Sequence, residues 1–144
     1  MSDPRVRAGV LPGLGDDLTP FAAENLPFMR PSFEGMTTPA LIVAGDQDQS
    51  ALSTRGPDWF TDAYVLSPGR KSLLTLPGAE HSLGGVAGYG VAETTDESPE
   101  RVALIQWLTS AYLRSALRPE DAGRRAACSA LEEDPHPLGK LRSK

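Results

Sequence analysis

Short apolar runs separated by polar, proline-rich and glycine-rich stretches make up the first half of the chain. Three of these runs, Val6–Leu11, Ala40–Ala44 and Ser72–Leu76, have the length and composition of β-strands. The second run is apolar at every position, which is typical of a strand inside a parallel sheet whose two faces are covered. Pro39 stands at its start, where a missing ladder hydrogen bond costs nothing. The pattern therefore predicts three strands, with the second one buried.

The second half of the chain has the spacing of a long helix. From Pro99 to about Leu117, apolar residues recur at i, i+3, i+4 and i+7 and form one stripe. The stripe consists of Val102, Ile105, Leu108 or Thr109, Tyr112 and Ala116, and it is widened by Leu104, Trp107, Ala111 and Leu113. Ser98 is a good N-cap, and proline suits the first helical position, where its missing N–H would be unpaired anyway. We expect this stripe to pack against the sheet.

Strands that alternate with helical stretches predict an α/β fold with about three parallel strands and flanking helices. Shorter helices are expected around Phe21–Leu26, residues 57–64 and Glu120–Glu132. The 144 residues are enough for one domain. We place this domain at residues 1–118 and expect residues 119–144 to form a short helix and a tail. His136 lies between two prolines of this tail, and we expect it to be solvated.

Composition and charge argue against several classes of function. The net charge of −5 disfavours a nucleic-acid partner, since phosphate binding needs clustered positive charge. No apolar run approaches the length of about 20 residues that spans a bilayer, and the N-terminus lacks a signal-peptide core, so we expect a cytoplasmic protein without a membrane partner. The single cysteine, Cys128, excludes an internal disulfide. Gly13 and Gly15 lack the third glycine of a dinucleotide fingerprint, so no cofactor is expected.

Polar loops follow the second and third predicted strands. The first loop is Gly45-Asp46-Gln47-Asp48, and the second ends in Glu80-His81. Because the carboxyl ends of parallel strands meet at one edge of a sheet, a carboxylate of the first loop should reach the imidazole of the second. Such a carboxylate fixes the tautomer of histidine and stabilises the imidazolium. Histidine is a natural general base because its ordinary pKa, about 6.5, is close to working pH.

Less specific interpretations of the same residues remain open. His81 could be a loop histidine that bonds to backbone groups, and one of the two aspartates is expected to be a turn residue. A mixed oxygen and nitrogen metal site is a further alternative, with the ligands Asp46, Asp48, Glu80 and His81. No spacing such as H-E-x-x-H supports a metal, so none is expected.

The two loops resemble the C-terminal third of an α/β-hydrolase. The wider sequence is similar to the chlorophyllase-like and dienelactone-hydrolase-like esterases of that superfamily, over about residues 3–118. The similar segments are Met36–Asp46, Arg55–Phe60 and Leu74–Gly85. The resemblance implies the C-terminal portion of an α/β-hydrolase fold, in which the strand Val6–Leu11 is the third from the end and the helix from Pro99 is the last.

The resemblance also implies an activity and the residues that carry it. The family hydrolyses carboxylic esters with a Ser, an acid and a His, and its substrate here would be a small ester. His81 matches the general base. The family's acid usually stands three residues after the glycine that ends the strand, here Gly45, which selects Asp48 as the acid and leaves Asp46 as a loop residue.

The nucleophile that the resemblance requires is missing from the sequence. It would be a serine in a G-x-S-x-G turn, and no such pentapeptide occurs. In the family's chain order this serine would precede Met1. Ser50, Ser53 and Ser82 lie near the two loops, but we expect them to be turn or capping residues. The chain alone is therefore expected to be inactive or nearly so, because the oxyanion hole is missing with the nucleophile.

A non-catalytic function is the alternative. The strand Val6–Leu11 would then be an uncovered sheet edge, because the preceding strands of the family have no counterpart. Such an edge could pair with a copy of the chain or with an N-terminal half of the hydrolase. The chain would then be a remnant or an interaction module.

Overall fold

A four-stranded sheet organises the chain. The computed structural model describes residues 7–12, 17–26, 32–88, 92 and 94–144. The strands are β1 (Gly9–Pro12), β2 (Ala40–Gly45), β3 (Lys71–Leu76) and β4 (Lys140–Ser143), in the order β1-β2-β3-β4. β1 and β3 both pair with β2 in parallel, whereas β4 is antiparallel to β3. The predicted α/β class is confirmed, but the sheet is mixed and not all parallel as expected.

The fourth strand lies in the segment that was predicted to be a tail, and that prediction was wrong for these residues. Leu141 stands opposite Leu74 of β3 and packs against the core, while the other three residues of β4 are exposed. A four-residue edge strand with one apolar side chain leaves almost no period-two signal in a sequence. Lys140 and Arg142 also discourage this edge from pairing with another chain.

β2 and β3 form the buried centre of the fold. All six residues of β2 are buried. Its alternate side chains face opposite sides of the sheet, so Leu41 and Val43 belong to one apolar cluster, and Ile42 belongs to another. The continuous apolar pattern of this strand follows from helical cover on both faces.

Helices cover the two faces as the spacing predicted. They are α1 (Pro20–Asn25), α2 (Asp62–Val65), α3 (Pro99–Leu117) and α4 (Gly123–Glu133), and a 3₁₀ turn spans Pro57–Thr61. The predicted N-cap of α3 is confirmed, because the Ser98 hydroxyl accepts from the amide of Arg101 at 3.3 Å. Among the described residues, no helix is long and apolar enough to cross a membrane.

The buried face of α3 is narrower than predicted. Leu104, Leu108, Ala111 and Tyr112 are its buried residues. Trp107 is 43% exposed, so its assignment to the core was wrong. α4 packs on the same side of the sheet through Ala127 and Leu131. Val6, at the start of the first predicted strand, and the Gly13–Gly15 stretch lie outside the described residues.

Candidate functional site

Asp48 and His81 are in contact at the edge of the sheet where β2 and β3 end. His81 Nδ1 lies 3.2 Å from Asp48 Oδ1 and 3.3 Å from Oδ2, so the imidazole N–H can donate to either carboxylate oxygen. The Asp48 side chain is 4% exposed, whereas that of His81 is 69% exposed. One imidazole nitrogen therefore faces a buried carboxylate, and most of the side chain is open to an incoming molecule.

Burial raises the pKa of Asp48 above its ordinary value, because a carboxylate loses hydration in the interior. The charge of His81 and its hydrogen bond lower this pKa, and the nearby carboxylates of Asp96 and Glu80 raise it further. The balance leaves Asp48 more basic than an ordinary aspartate.

The two loops approach each other closely because β2 ends in glycine. A Cβ atom on Gly45 would lie 2.1 Å from the carbonyl oxygen of Ala79, a distance that no side chain tolerates. The amide of Gln47 donates to the same carbonyl at 3.0 Å. Asp46 Oδ1 accepts from the amide of Gly78 at 2.7 Å and so links the loops directly. Asp46 thus binds a backbone amide of the other loop, whereas Asp48 binds the imidazole of His81.

Asp96 and Arg101 fix the loop that carries His81, and no motif or spacing in the sequence indicates either role. Asp96 Oδ2 accepts from the amides of Glu80 and Gly84, both at 2.9 Å, and the side chain is only 4% exposed. Arg101 lies 3.7 Å from this carboxylate and donates to the carbonyl of Pro77 at 2.9 Å. The first turn of α3 therefore anchors the His81 loop.

An aromatic ring packs beside the imidazole. The ring centroids of Phe60 and His81 are 5.6 Å apart, and the planes are tilted by 52°. Phe60 is itself buried and packs edge-on against Trp59 at 5.1 Å. The 3₁₀ turn thus supplies an apolar wall that limits the orientations of His81.

Arg55 holds the long loop after β2 in place through three aspartates. Its guanidinium lies 2.8 Å from Asp62, 2.6 Å from Asp58 and 3.2 Å from Asp17. The hydrogen bonds to Asp62 and Asp58 raise the pKa of Arg55 above its already high value. This cluster joins α2, the 3₁₀ turn and the chain before α1, and it has a structural role.

The nearby serines have mainly local partners. The Ser50 hydroxyl accepts from the amide of Leu52 at 3.1 Å, and the Ser53 hydroxyl accepts from the amide of Arg55 at 3.0 Å. Both therefore serve in turns, as expected. Ser82 is buried in the turn that follows His81.

The four residues considered as metal ligands do not converge. Glu80 accepts from the Thr95 hydroxyl, and Asp46 is engaged by backbone. Within the described part of the chain, no group of three or more His, Cys, Asp or Glu side chains is arranged to hold a metal ion. His136 is exposed and far along the chain from these loops, and Cys128 is half-buried, where burial raises the pKa of its thiol.

The geometry at the sheet edge thus brings together the two residues that the sequence selected, Asp48 and His81, and adds Phe60, Asp96 and Arg101 as their supports. Neither a scan against protein-family models nor a search of curated proteins gave a match for this chain.

Proposed function

We propose that Asp48 and His81 are the acid and the general base of a serine-hydrolase site of the α/β-hydrolase type. The supporting observation is the 3.2 Å contact between His81 Nδ1 and a buried carboxylate, made by loops that follow two neighbouring parallel strands. This is the place and the pairing that a Ser-His-Asp site uses in an open α/β sheet. The substrate class would be a carboxylic ester.

The chemistry follows from the orientation of the imidazole. With its Nδ1–H donated to Asp48, His81 keeps Nε2 free to accept a proton from a serine hydroxyl as that oxygen attacks the ester carbonyl. The imidazolium then gives the proton to the departing alcohol. In the second half, His81 takes a proton from water as the water oxygen attacks the acyl carbon. It then returns this proton to the serine oxygen as the acyl–serine bond breaks and the acid leaves.

The serine and the oxyanion hole are proposed to come from outside this sequence, from an N-terminal part of the same hydrolase. The 144-residue chain should therefore turn over p-nitrophenyl acetate no faster than its His81→Ala variant. Turnover that is robust and lost in His81→Ala, but kept in the matched control His136→Ala, would contradict the idea of a missing nucleophile.

The reading frame upstream of the Met1 codon provides the decisive test of the family assignment. If the upstream DNA encodes a G-x-S-x-G segment, in frame or after a frameshift, the longer chain should hydrolyse p-nitrophenyl acetate. Asp48→Asn and His81→Ala should each lower its kcat by about a hundredfold or more, and His136→Ala should not. Unrelated upstream sequence, or a longer chain indifferent to both substitutions, would refute the proposal.

A second candidate function is pairing through β1. Within the described residues, β1 has a partner on one side only, which leaves the other side of Gly9–Pro12 without a strand. An open edge of this kind favours pairing with a second copy of the chain or with the proposed N-terminal part. If β1 pairs with a second copy, sedimentation velocity should reveal a dimer that Val10→Pro dissociates. A monomer at all concentrations would contradict self-pairing and leave the proposed N-terminal part as the partner of β1.

A further inference from the structure

A cavity of about 500 Å³ lies at the opposite end of the sheet from Asp48 and His81. Pro39 precedes β2 and Lys71 begins β3, and both line it. Since a strand rises about 3.3 Å per residue, the six residues of β3 put roughly 20 Å between this cavity and the His81 loop. The two sites are therefore separate.

Positive charge is concentrated in this cavity. Five cationic side chains line it, namely Arg7, Arg70, Lys71, Arg124 and Lys144. No Asp or Glu is among the described residues of its wall. This clustering stands out in a chain whose net charge is −5.

The cations of the cavity lack the carboxylate partners that some other cations of the chain have. Arg55 and Arg101 each pair with carboxylates. In contrast, no ion pair within the described residues involves any of the five cations that line the cavity. Neighbouring cations repel one another, and burial together with the charge of Lys144 lowers the pKa of Lys71. The terminal carboxylate of Lys144, whose backbone is hydrogen-bonded to Lys71, offsets only one of the five positive charges. A bound anion would relieve both costs.

Part of this wall is held rigidly. Arg124 donates to the Ser72 hydroxyl at 2.8 Å, and its guanidinium lies 5.1 Å from the centroid of the Tyr112 ring. The hydroxyls of Ser72 and Ser143 are hydrogen-bonded at 3.0 Å. Lys71 is only 1% exposed and donates to the carbonyl of Pro68 at 2.6 Å. These groups are in place before any ligand arrives.

Of the described charged side chains at or beside the cavity, all but two guanidiniums have a hydrogen-bond partner. Lys144 Nζ donates to the carbonyls of Ser67 at 2.7 Å and Val65 at 3.2 Å. Asp121 lines an adjoining pocket next to Arg124, but its carboxylate accepts from the amide of Gly123 at 2.6 Å. Arg7 and Arg70 have no side-chain partner in the described part of the chain.

We propose that this basic cavity binds the phosphate monoester group of a small molecule. Guanidinium groups match phosphate oxygens with paired hydrogen bonds, and serine hydroxyls add neutral donors. The volume is that of an ordinary small-ligand site, and its concave shape suits a compact headgroup. The proposal is independent of the hydrolase function, because it uses no residue of the His81 loop.

Titration calorimetry of the full 144-residue chain with phenyl phosphate tests the site. We expect saturable binding at low salt that weakens as salt is added. Arg70→Gln removes a guanidinium that has no structural contact, so it should leave the melting temperature unchanged and weaken binding about tenfold. Arg124→Gln should weaken binding at least as much. Arg125→Gln, a matched loss of charge on the next residue of α4, should have little effect.

Flotation with phosphatidylcholine vesicles, with and without phosphatidic acid, identifies the source of the phosphate. Phosphatidic acid carries the same monoester group, so Arg70-dependent flotation would support the site and assign it to a lipid headgroup. Binding of phenyl phosphate without flotation would support a soluble ligand. The proposal is overturned if neither probe binds, or if Arg70→Gln and Arg125→Gln weaken binding equally.

Discussion

The carboxyl group of Asp48 is buried, so its ionisation costs free energy, and the charges of its neighbours change the size of that cost. Its side chain is 4% exposed, and the nearby Asp96 and Glu80 oppose its ionisation. Among the described residues, His81 favours the ionised form through its charge and its hydrogen bond. Residues held in unfavourable surroundings by the rest of a fold are frequent at functional sites, where the same feature serves the chemistry.

The titration of Asp48 should therefore reduce stability at neutral pH. Its pKa is raised on folding, so the folded state binds the proton more tightly than the unfolded state does, and this contribution to stability is present at acid pH and lost as pH rises through the folded pKa. We expect Asp48→Asn to raise the melting temperature at pH 7 by about 2–4 °C, equivalent to about 1 kcal/mol.

The gain should shrink as pH falls through the raised pKa of folded Asp48 and be absent below the ordinary pKa of aspartate. Asp46→Asn, which removes the exposed carboxylate of the same loop, is the control and should show no such gain. Thermal melts of both variants at pH 3 and pH 7 test the prediction, and a loss of stability in Asp48→Asn at pH 7 would contradict it.

Gly45 allows the approach of the two loops, and any larger residue must push them apart. Gly45→Ala should destabilise the fold by about 3 kcal/mol, because its methyl group would meet the carbonyl of Ala79 at 2.1 Å. Gly9→Ala is a matched control on β1, since a Cβ there meets nothing within 4 Å. Urea denaturation of both variants measures the difference, and equal midpoints would show that the loops can yield.

At the scale of elements, the first turn of α3 acts as the support of the candidate site. Ser98 begins the helix, Asp96 just before it holds two amides of the His81 loop, and Arg101 reaches the carbonyl of Pro77 from within it. The contacts of Asp46 and Gln47 hold the loop only at Gly78 and Ala79, before His81. The position of His81 thus depends on a helix that begins eighteen residues later.

Removing this support should loosen the loop without unfolding the sheet. Asp96→Ala leaves the amides of Glu80 and Gly84 without their acceptor, so we expect faster hydrogen exchange at both and a loss of about 2 kcal/mol. Asp96→Asn keeps an acceptor oxygen and should restore most of the protection. Glu97→Ala, an exposed neighbour, is the control, and unchanged exchange in Asp96→Ala would count against an anchoring role.

Elements with a regular apolar pattern were predictable, and those that depend on distant partners were not. β2, β3 and α3 have continuous or periodic signals and were found within a residue or two. β4 was missed because Leu141 alone carries its signal. Trp107 was misplaced because an apolar spacing does not tell which edge of a helix reaches the sheet.

The functional residues were predictable only where they follow a predicted strand, and not where distant parts of the chain bring them together. The loops of Asp48 and His81 could be selected because each follows a strand, and parallel strands bring their ends together. The choice of Asp48 over Asp46 came from the family resemblance alone. Asp96 lies in an acidic loop where no spacing distinguishes it from Glu97. The basic cavity was invisible in the sequence, because its cations run from Arg7 to Lys144 and only the folded sheet gathers them.

At the scale of the whole molecule, the two ends of the sheet differ in charge. Carboxylates gather around the ends of β2 and β3, where Asp46, Asp48, Glu80 and Asp96 lie. Cations gather where the same strands begin. The parallel pairing of β2 and β3 is the cause, since it places both strand starts at one end and both strand ends at the other.

This separation gives the molecule an electric dipole along its central strands, despite a negative total charge. An anion that diffuses toward the sheet is repelled by the end with the carboxylates and attracted by the end with the cations, so its approach is oriented before any contact forms. A cation experiences the reverse. The strand direction of a small buried sheet thus determines from which side each kind of charged molecule arrives.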